Sequence, residues 1–246
     1  MAIIGGRAHS LQQIREVGRL GYPFAEISLY DPEATAGQLD ELLELKKRYG
    51  LFYLAHYPNE GNPVDVANLR KTFLPRMKRL FALSADLGVA KGTFHFWVDD
   101  RRIPPEVVSE KIELISEMVA TAKDRGIVLG LENLSEPDRC FIPVFNRLPD
   151  LRMTLDIGHG QLLTEENTSF GFIRNCFDRI THLHVHDNLG GQSYKDDLHR
   201  PLGQGIVDYP RIFSLLKEKG YASTVTMEVK PFEMSGTKAE ILKYLD

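Results

Sequence analysis

The sequence predicts a single (β/α)8 TIM barrel spanning residues 1–246. Three observations lead there. Short runs of β-branched and aromatic residues alternate with longer stretches of helical periodicity, the pattern of parallel strands joined by crossover helices. Eight such units can be counted, the number that closes this barrel. No Ser/Gly linker, low-complexity run or composition break divides the chain, and 246 residues suit one large α/β domain.

In chain order the predicted strands cover residues 2–5, 24–29, 52–56, 92–96, 128–132, 153–156, 181–185 and 224–228. Helices are predicted between and after them, over 10–20, 37–49, 66–87, 105–125, 141–146, 172–177, 209–219 and 237–245. Ser10 and Thr237 stand where a side-chain oxygen would cap a helix N-terminus. Gly50, Gly88, Gly126 and Gly220 stand where helix ends need a left-handed residue. The segment 188–208 is long, polar and glycine-rich, and it reads as a loop over the mouth.

Composition excludes several function classes. Lys and Arg number 30 against 34 Asp and Glu, giving a net charge of −4 and a pI near 6.1, unlike a duplex binder with its basic stripe. Cys140 and Cys176 lie far apart in no metal or disulfide spacing and read as buried small apolar residues. No apolar run approaches a membrane span and the N-terminus has no signal-like core, so a soluble cytoplasmic protein is expected. Gly203-Gln204-Gly205 follows a loop rather than a strand and reads as a tight lid turn, not a dinucleotide fingerprint. Ser28 and Ser193 lie in no nucleophile-elbow context, and no P-loop is present.

In such barrels, catalytic groups project from the C-terminal strand ends. Here His56 closes the third strand, His95 the fourth, Glu132 the fifth, Asp156 with His159 the sixth, His184 the seventh and Glu228 the eighth. Asp197 and His199 follow in the loop after the seventh. Buried carboxylates cost several kcal/mol unless paired or coordinated, and a divalent ion supplies that compensation. Imidazole and carboxylate without thiolate suit Zn, Mn, Co or Fe. One ion needs about four ligands. The surplus implies either two or three ions, with Glu132 bridging, or one ion with substrate-binding histidines around it. His182, His184 and His186 alternate onto one strand face. His184 is expected to be the ligand, His186 a rim residue near substrate, and His182 a core histidine one layer down. His9 reads as a solvated helix-start residue. Tyr30, Tyr57, Phe96 and Trp97 fall just past strand ends and are expected to wall the pocket, with Tyr57 and Trp97 placed to contact substrate.

These motifs resemble those of the xylose isomerase-like barrels, which include sugar isomerases and epimerases and zinc-dependent apurinic endonucleases. The resemblance covers nearly the whole chain. It rests on Leu131-Glu132-Asn133, Leu155-Asp156-Ile157-Gly158-His159, His184-Val185-His186-Asp187, Asp197-Leu198-His199 with the following GxG, and Met227-Glu228. Similarity to the epimerase branch implies one metal on Glu132, Asp156, His184 and Glu228. The two glutamates would also form the acid/base pair, and His159 would hold a substrate oxygen. That branch usually carries an arginine six residues beyond the metal histidine; the position here is Gly190, which argues against a ketohexose. Similarity to the endonuclease branch implies three zincs on His56, His95, Glu132, Asp156, His159, His184, Asp197, His199 and Glu228, acting on abasic DNA. The acidic net charge, the shorter chain and Glu60 in the loop after His56 argue against nucleic acid. The expected function is therefore a metal-dependent isomerase or epimerase of a small sugar, polyol or hydroxy-keto compound. The phosphodiesterase is the first alternative, and a metal-binding barrel with lyase, hydrolase or no activity the second.

Overall fold

The computed structural model describes residues 1–245. Eight parallel strands close into a barrel in sequence order: β1 (Ile3–Ala8), β2 (Phe24–Ser28), β3 (Phe52–His56), β4 (Lys91–His95), β5 (Val128–Glu132), β6 (Arg152–Asp156), β7 (Ile180–Val185) and β8 (Thr224–Met227). Pairing of β8 with β1 closes the ring. The outer layer comprises α1 (Leu11–Arg19), α2 (Pro32–Gly37), α3 (Leu39–Tyr49), α4 (Val66–Asn68), α5 (Leu74–Asp86), α6 (Pro105–Lys123), α7 (Asp138–Arg147), α8 (Ser169–Asn175), α9 (Tyr209–Glu218) and α10 (Met234–Leu245). The main apolar core lies between the strands and these helices, with Phe94, Leu131, Leu183 and Val225 fully or nearly fully buried. Among the described residues no helix is long and apolar enough to cross a membrane.

Several elements differ from the sequence expectation, each for a local reason. The first strand runs to Ala8 instead of stopping at Gly5. Its glycines are sites of close packing: a Cβ on Gly5 would lie 2.6 Å from the Phe24 ring, and one on Gly6 2.5 Å from Met234 Sδ. This extension carries Arg7 into the barrel. The predicted 66–87 helix is broken by a π-helical turn over Leu69–Phe73, just ahead of Pro75, whose ring nitrogen has no N–H to donate to the i−4 carbonyl. An additional short helix, α2, is capped by the Asp31 carboxylate, which accepts from Ala34 N at 2.8 Å. Thr237 is not a cap but a buried residue inside α10, which starts three residues earlier, after a 3-10 turn at Pro231–Glu233. Ser10 does cap α1, and Gly50 ends α3 at φ 64.

Strand register places the polar residues at one level. His95 pairs with Glu132, Asp156 with His184, and His184 with Thr226. Because side chains alternate along a strand, these residues face the barrel interior at its C-terminal end while their neighbours pack outward.

Candidate metal centre

The deepest polar layer surrounds Glu26 on β2. Its Oε2 lies 2.9 Å from His182 Nε2, 2.9 Å from His184 Nε2 and 2.5 Å from Thr226 Oγ1. Burial opposes its ionisation, but His184 and His182 hold the carboxyl well below the usual range. An ionised carboxylate only accepts hydrogen bonds, so His184 donates from Nε2, which leaves Nδ1 as the nitrogen that a cation would take in exchange for a proton. His182 is thus the core histidine expected one layer down.

The next layer gathers around that nitrogen. His184 Nδ1 lies 3.0 Å from Glu132 Oε1, 3.4 Å from Glu228 Oε1 and 3.8 Å from Asp156 Oδ2. Glu132 is the hub: its Oε2 is 2.6 Å from His95 Nε2 and 3.3 Å from His56 Nε2, and its Oε1 is 3.2 Å from His159 Nδ1. Asn133 orients Asp156 by accepting its backbone N–H at 2.8 Å. On the loop after β7, Asp197 Oδ2 lies 3.2 Å from His159 Nε2 and 3.0 Å from His199 Nε2. His199 adopts φ 46, a left-handed conformation uncommon for histidine, with Nδ1 3.1 Å from the Glu228 carbonyl. All nine residues expected as ligands therefore meet at one mouth. Donor atoms gather in sets, each within 4.8 Å: Glu132–Asp156–His184–Glu228 and His56–His95–Glu132, which share Glu132, and His159–His186–Asp197–His199, which adds His186.

The donor set fits a divalent cation. Asp156 Oδ2, Asp197 Oδ1 and both ring nitrogens of His186 are buried without a hydrogen-bond partner among the described residues, a costly arrangement unless a cation is shared. Four carboxylates, Glu26, Glu132, Asp156 and Glu228, are buried here. Arg7 is the fixed cation that touches two of them, at 3.2 Å from Glu228 and 3.9 Å from Glu26. Protonated histidines supply the remaining positive charge. Burial disfavours their charged form, but the surrounding carboxylates raise His184 and His159 well above the usual range and His199 to about 9. His56, pressed by burial and Arg7, falls to about 4 and stays neutral.

Four expectations are corrected. His186 is not a rim residue: it is fully buried and stacks on His199 at 4.0 Å, with Nε2 3.1 Å from Asp156 Oδ1 but outside hydrogen-bond geometry. Gly158 makes its room, since a Cβ there would overlap the ring. Tyr57 does not reach substrate space. Strand alternation after inward-facing His56 turns it outward, where it is fully buried against Phe81 and donates to Ser84 Oγ at 2.9 Å. Phe96 is buried likewise, whereas Trp97 lines the cavity. Glu60 is not a free carboxylate, because buried Lys111 on α6 sits 2.6 Å from it. His9 is exposed before α1, with Nδ1 3.0 Å from Ser28 Oγ, in keeping with its plain reading.

Sequence reasoning missed Glu26, Arg7 and Asp187. Glu26 carried a signal, a lone charge on the inward-alternating face of a strand. Asp187 accepts from Gly203, Gly205 and Val207 N–H groups at 3.0, 2.9 and 3.1 Å. It thereby folds back the loop that carries Asp197 and His199.

A cavity of about 830 Å³ opens onto the cluster. His95, His159 and Asp197 border it on the cluster side, with Trp97, Arg102 and Ser135 elsewhere on its wall.

Comparison with known proteins adds the following. The chain is 27% identical over 227 residues to the uncharacterised protein MJ1311 of Methanocaldococcus jannaschii, covering 83% of this chain and 74% of that one. Among solved structures it resembles a D-tagatose 3-epimerase-like protein, with a TM-score of 0.83 at 22% identity over 98% of this chain and 97% of the other. It also resembles the IOLI protein with a bound zinc atom, with a TM-score of 0.81 at 17% identity over 98% of each chain. At these identities the likeness shows a shared fold. The family model described as Xylose isomerase-like TIM barrel matches residues 14–245, and the chain belongs to that family.

Proposed function

We propose that the protein is a divalent-metal-dependent isomerase or epimerase acting on a small sugar, polyol or hydroxy-keto compound. One observation carries the reading: Glu132 and Glu228 approach the same nitrogen, His184 Nδ1, at 3.0 and 3.4 Å beside a cavity of substrate size. A zinc, manganese or cobalt ion on Glu132, Asp156, His184 and Glu228 would polarise a carbonyl and favour its enediolate form.

The chain's own groups account for the rest. Glu132 and Glu228 are both held ionised against the opposing effect of burial, Glu132 by His95 and His184, Glu228 by His184, His199 and Arg7. In that state one can accept the proton α to a carbonyl, and the other, having taken up a proton, can return one. His159 faces the cavity with its ring fixed between Glu132 and Asp197, suited to hold a substrate oxygen. Trp97 offers an apolar wall to a sugar face. Gly190 lies at φ 71, a conformation that disfavours an arginine side chain there, which supports a substrate other than a ketohexose. The epimerase and zinc-bearing neighbours are compatible in chemistry with this reading. Two free buried cysteines suit a reducing cytoplasm, which we include in the proposal.

A second reading, a trinuclear phosphodiesterase acting on abasic DNA, is favoured by the two further donor sets around His56–His95 and Asp197–His199. Pairing of Glu60 with Lys111 also removes one local repulsion of a phosphate backbone. The acidic net charge of −4 still weighs against it.

The test is exchange of substrate C–H for solvent deuterium, followed by NMR across candidate ketoses and polyol-derived ketones with the metal-loaded protein. Glu228→Gln is expected to fold and to lose exchange. Full exchange in that variant removes the assigned role, and cleavage of an abasic oligonucleotide without exchange favours the second reading.

A further inference from the structure

We infer that the cavity takes a substrate whose non-reacting end is anionic, a phosphate ester or a carboxylate, gripped by Arg102. The inference rests on the reading of a small-molecule substrate given above. Arg102 is the sole lysine or arginine among the residues lining the cavity, whose cluster side is bordered by His95, His159 and Asp197. Its guanidinium carbon lies 5.9 Å from the centroid of the Trp97 ring, a contact that steadies the side chain along the wall. Its backbone is fixed too, since Arg102 N–H donates to the Asp99 carbonyl at 3.0 Å.

The guanidinium has no carboxylate partner among the described residues, and the surrounding charge pattern explains why. Asp100, the nearest acid in sequence, lies 3.4 Å from Arg139, and Asp99, the next, is already held by Arg101, with Nε 2.8 Å from Oδ1 and the terminal nitrogen 2.6 Å from Oδ2. Glu60, the carboxylate on the same stretch of wall, is matched by Lys111 at 2.6 Å and accepts the Trp97 N–H at 2.7 Å. Asp197, at the cluster side, is matched by His159 and His199. Each acid near Arg102 or on the cavity wall thus has its own cation. A guanidinium with its donor fork left over, facing a partly enclosed space, is matched by a planar or tetrahedral oxyanion that takes two of its N–H groups. Ser135 and Gln192, which also line the cavity, offer neutral donors for the remaining oxygens.

Trp97 is the one tryptophan in the chain, so its fluorescence reports this wall without turnover. Titrations of the metal-loaded protein would compare D-ribulose 5-phosphate with D-ribulose, and D-glucuronate with D-glucose. At least one anionic member is expected to bind about tenfold or more tightly than its neutral parent, the magnitude of one charge-assisted contact. The pair with the larger ratio identifies phosphate or carboxylate as the group. In Arg102→Met the ratio is expected to fall to about one, while Arg102→Lys keeps part of it; both change an exposed side chain, and melting curves confirm their fold. Equal affinities within both pairs, no fluorescence change with either anion at millimolar concentration, or a ratio that survives Arg102→Met overturns the inference. So does binding of an abasic oligonucleotide when neither small anion binds. A protein that binds anionic sugars but exchanges no proton overturns the catalytic reading and leaves this one standing.

Discussion

Replacing Glu26 by glutamine tests whether the layer beneath the cluster sets its metal chemistry. Glu26 is fully buried and accepts from His182, His184 and Thr226 at 2.5–2.9 Å. Glutamine keeps the shape and one acceptor oxygen but substitutes an N–H2 group, which cannot pair with an imidazole N–H. His184 must then give up this contact or move its proton to Nδ1. The second course points an N–H at the three carboxylates where a lone pair is needed for a cation. A hydrogen bond to a charged group contributes about 1.5–3 kcal/mol, and loss of one such support behind a ligand weakens metal binding about 10–100-fold. The expected fall in zinc affinity, about 1.4–2.7 kcal/mol, is measurable by chelator competition at pH 7. A folded Glu26→Gln protein binding zinc within about twofold of wild type refutes the reasoning.

Other predictions concern the cavity wall and the packing of the cluster. Lys111→Met leaves Glu60 buried without its cation, a loss of about 3–5 kcal/mol and roughly 6–20 °C in Tm by calorimetry. The double variant Lys111→Met with Glu60→Leu should recover most of it, and an unshifted single variant contradicts the assigned pairing. Glu136 is fully buried, and burial lifts its carboxyl to about 7 from an ordinary 4.5. The native state therefore keeps a proton that the unfolded chain releases. Its contribution is fully present below pH 4.5 and is lost as pH rises to about 7, roughly 3 kcal/mol relative to Glu136→Gln. Denaturant unfolding across that range should show the difference, and a flat difference is the contrary result. Gly158→Ala drives a methyl into the His186 ring and should destabilise the fold by about 1–3 kcal/mol while lowering metal affinity; an unaffected variant contradicts the placement of His186.

Much of the barrel and its mouth was legible in the sequence because the chemistry there is local. His56, His95, Glu132 and Asp156 each end a strand and His184 comes one residue before the end of β7, and strand ends in a parallel barrel share one face. What escaped depends on depth and direction. Glu26 sits two residues before the end of β2, and only the register that sets it against His182 and His184 reveals its function. Arg7 was hidden because the first strand was expected to end at Gly5, whereas the missing side chains of Gly5 and Gly6 admit Phe24 and Met234 and the strand runs on. Tyr57 and His186 were misplaced for related reasons. A residue just past a strand end faces cavity or helix layer according to alternation, and a loop folding over the mouth, here fastened by Asp187, buries what looks like rim.

The most direct test of the account is metal content after equilibrium dialysis against zinc, manganese or cobalt, comparing wild type with Asp156→Asn. Asp156 belongs to the donor set with Glu132, His184 and Glu228, and its Oδ2 has no hydrogen-bond partner among the described residues. The account predicts at least one tightly retained ion per wild-type chain, with one equivalent lost in a folded Asp156→Asn protein. Wild-type protein that retains no stoichiometric ion, or a variant that retains as many as wild type, contradicts it.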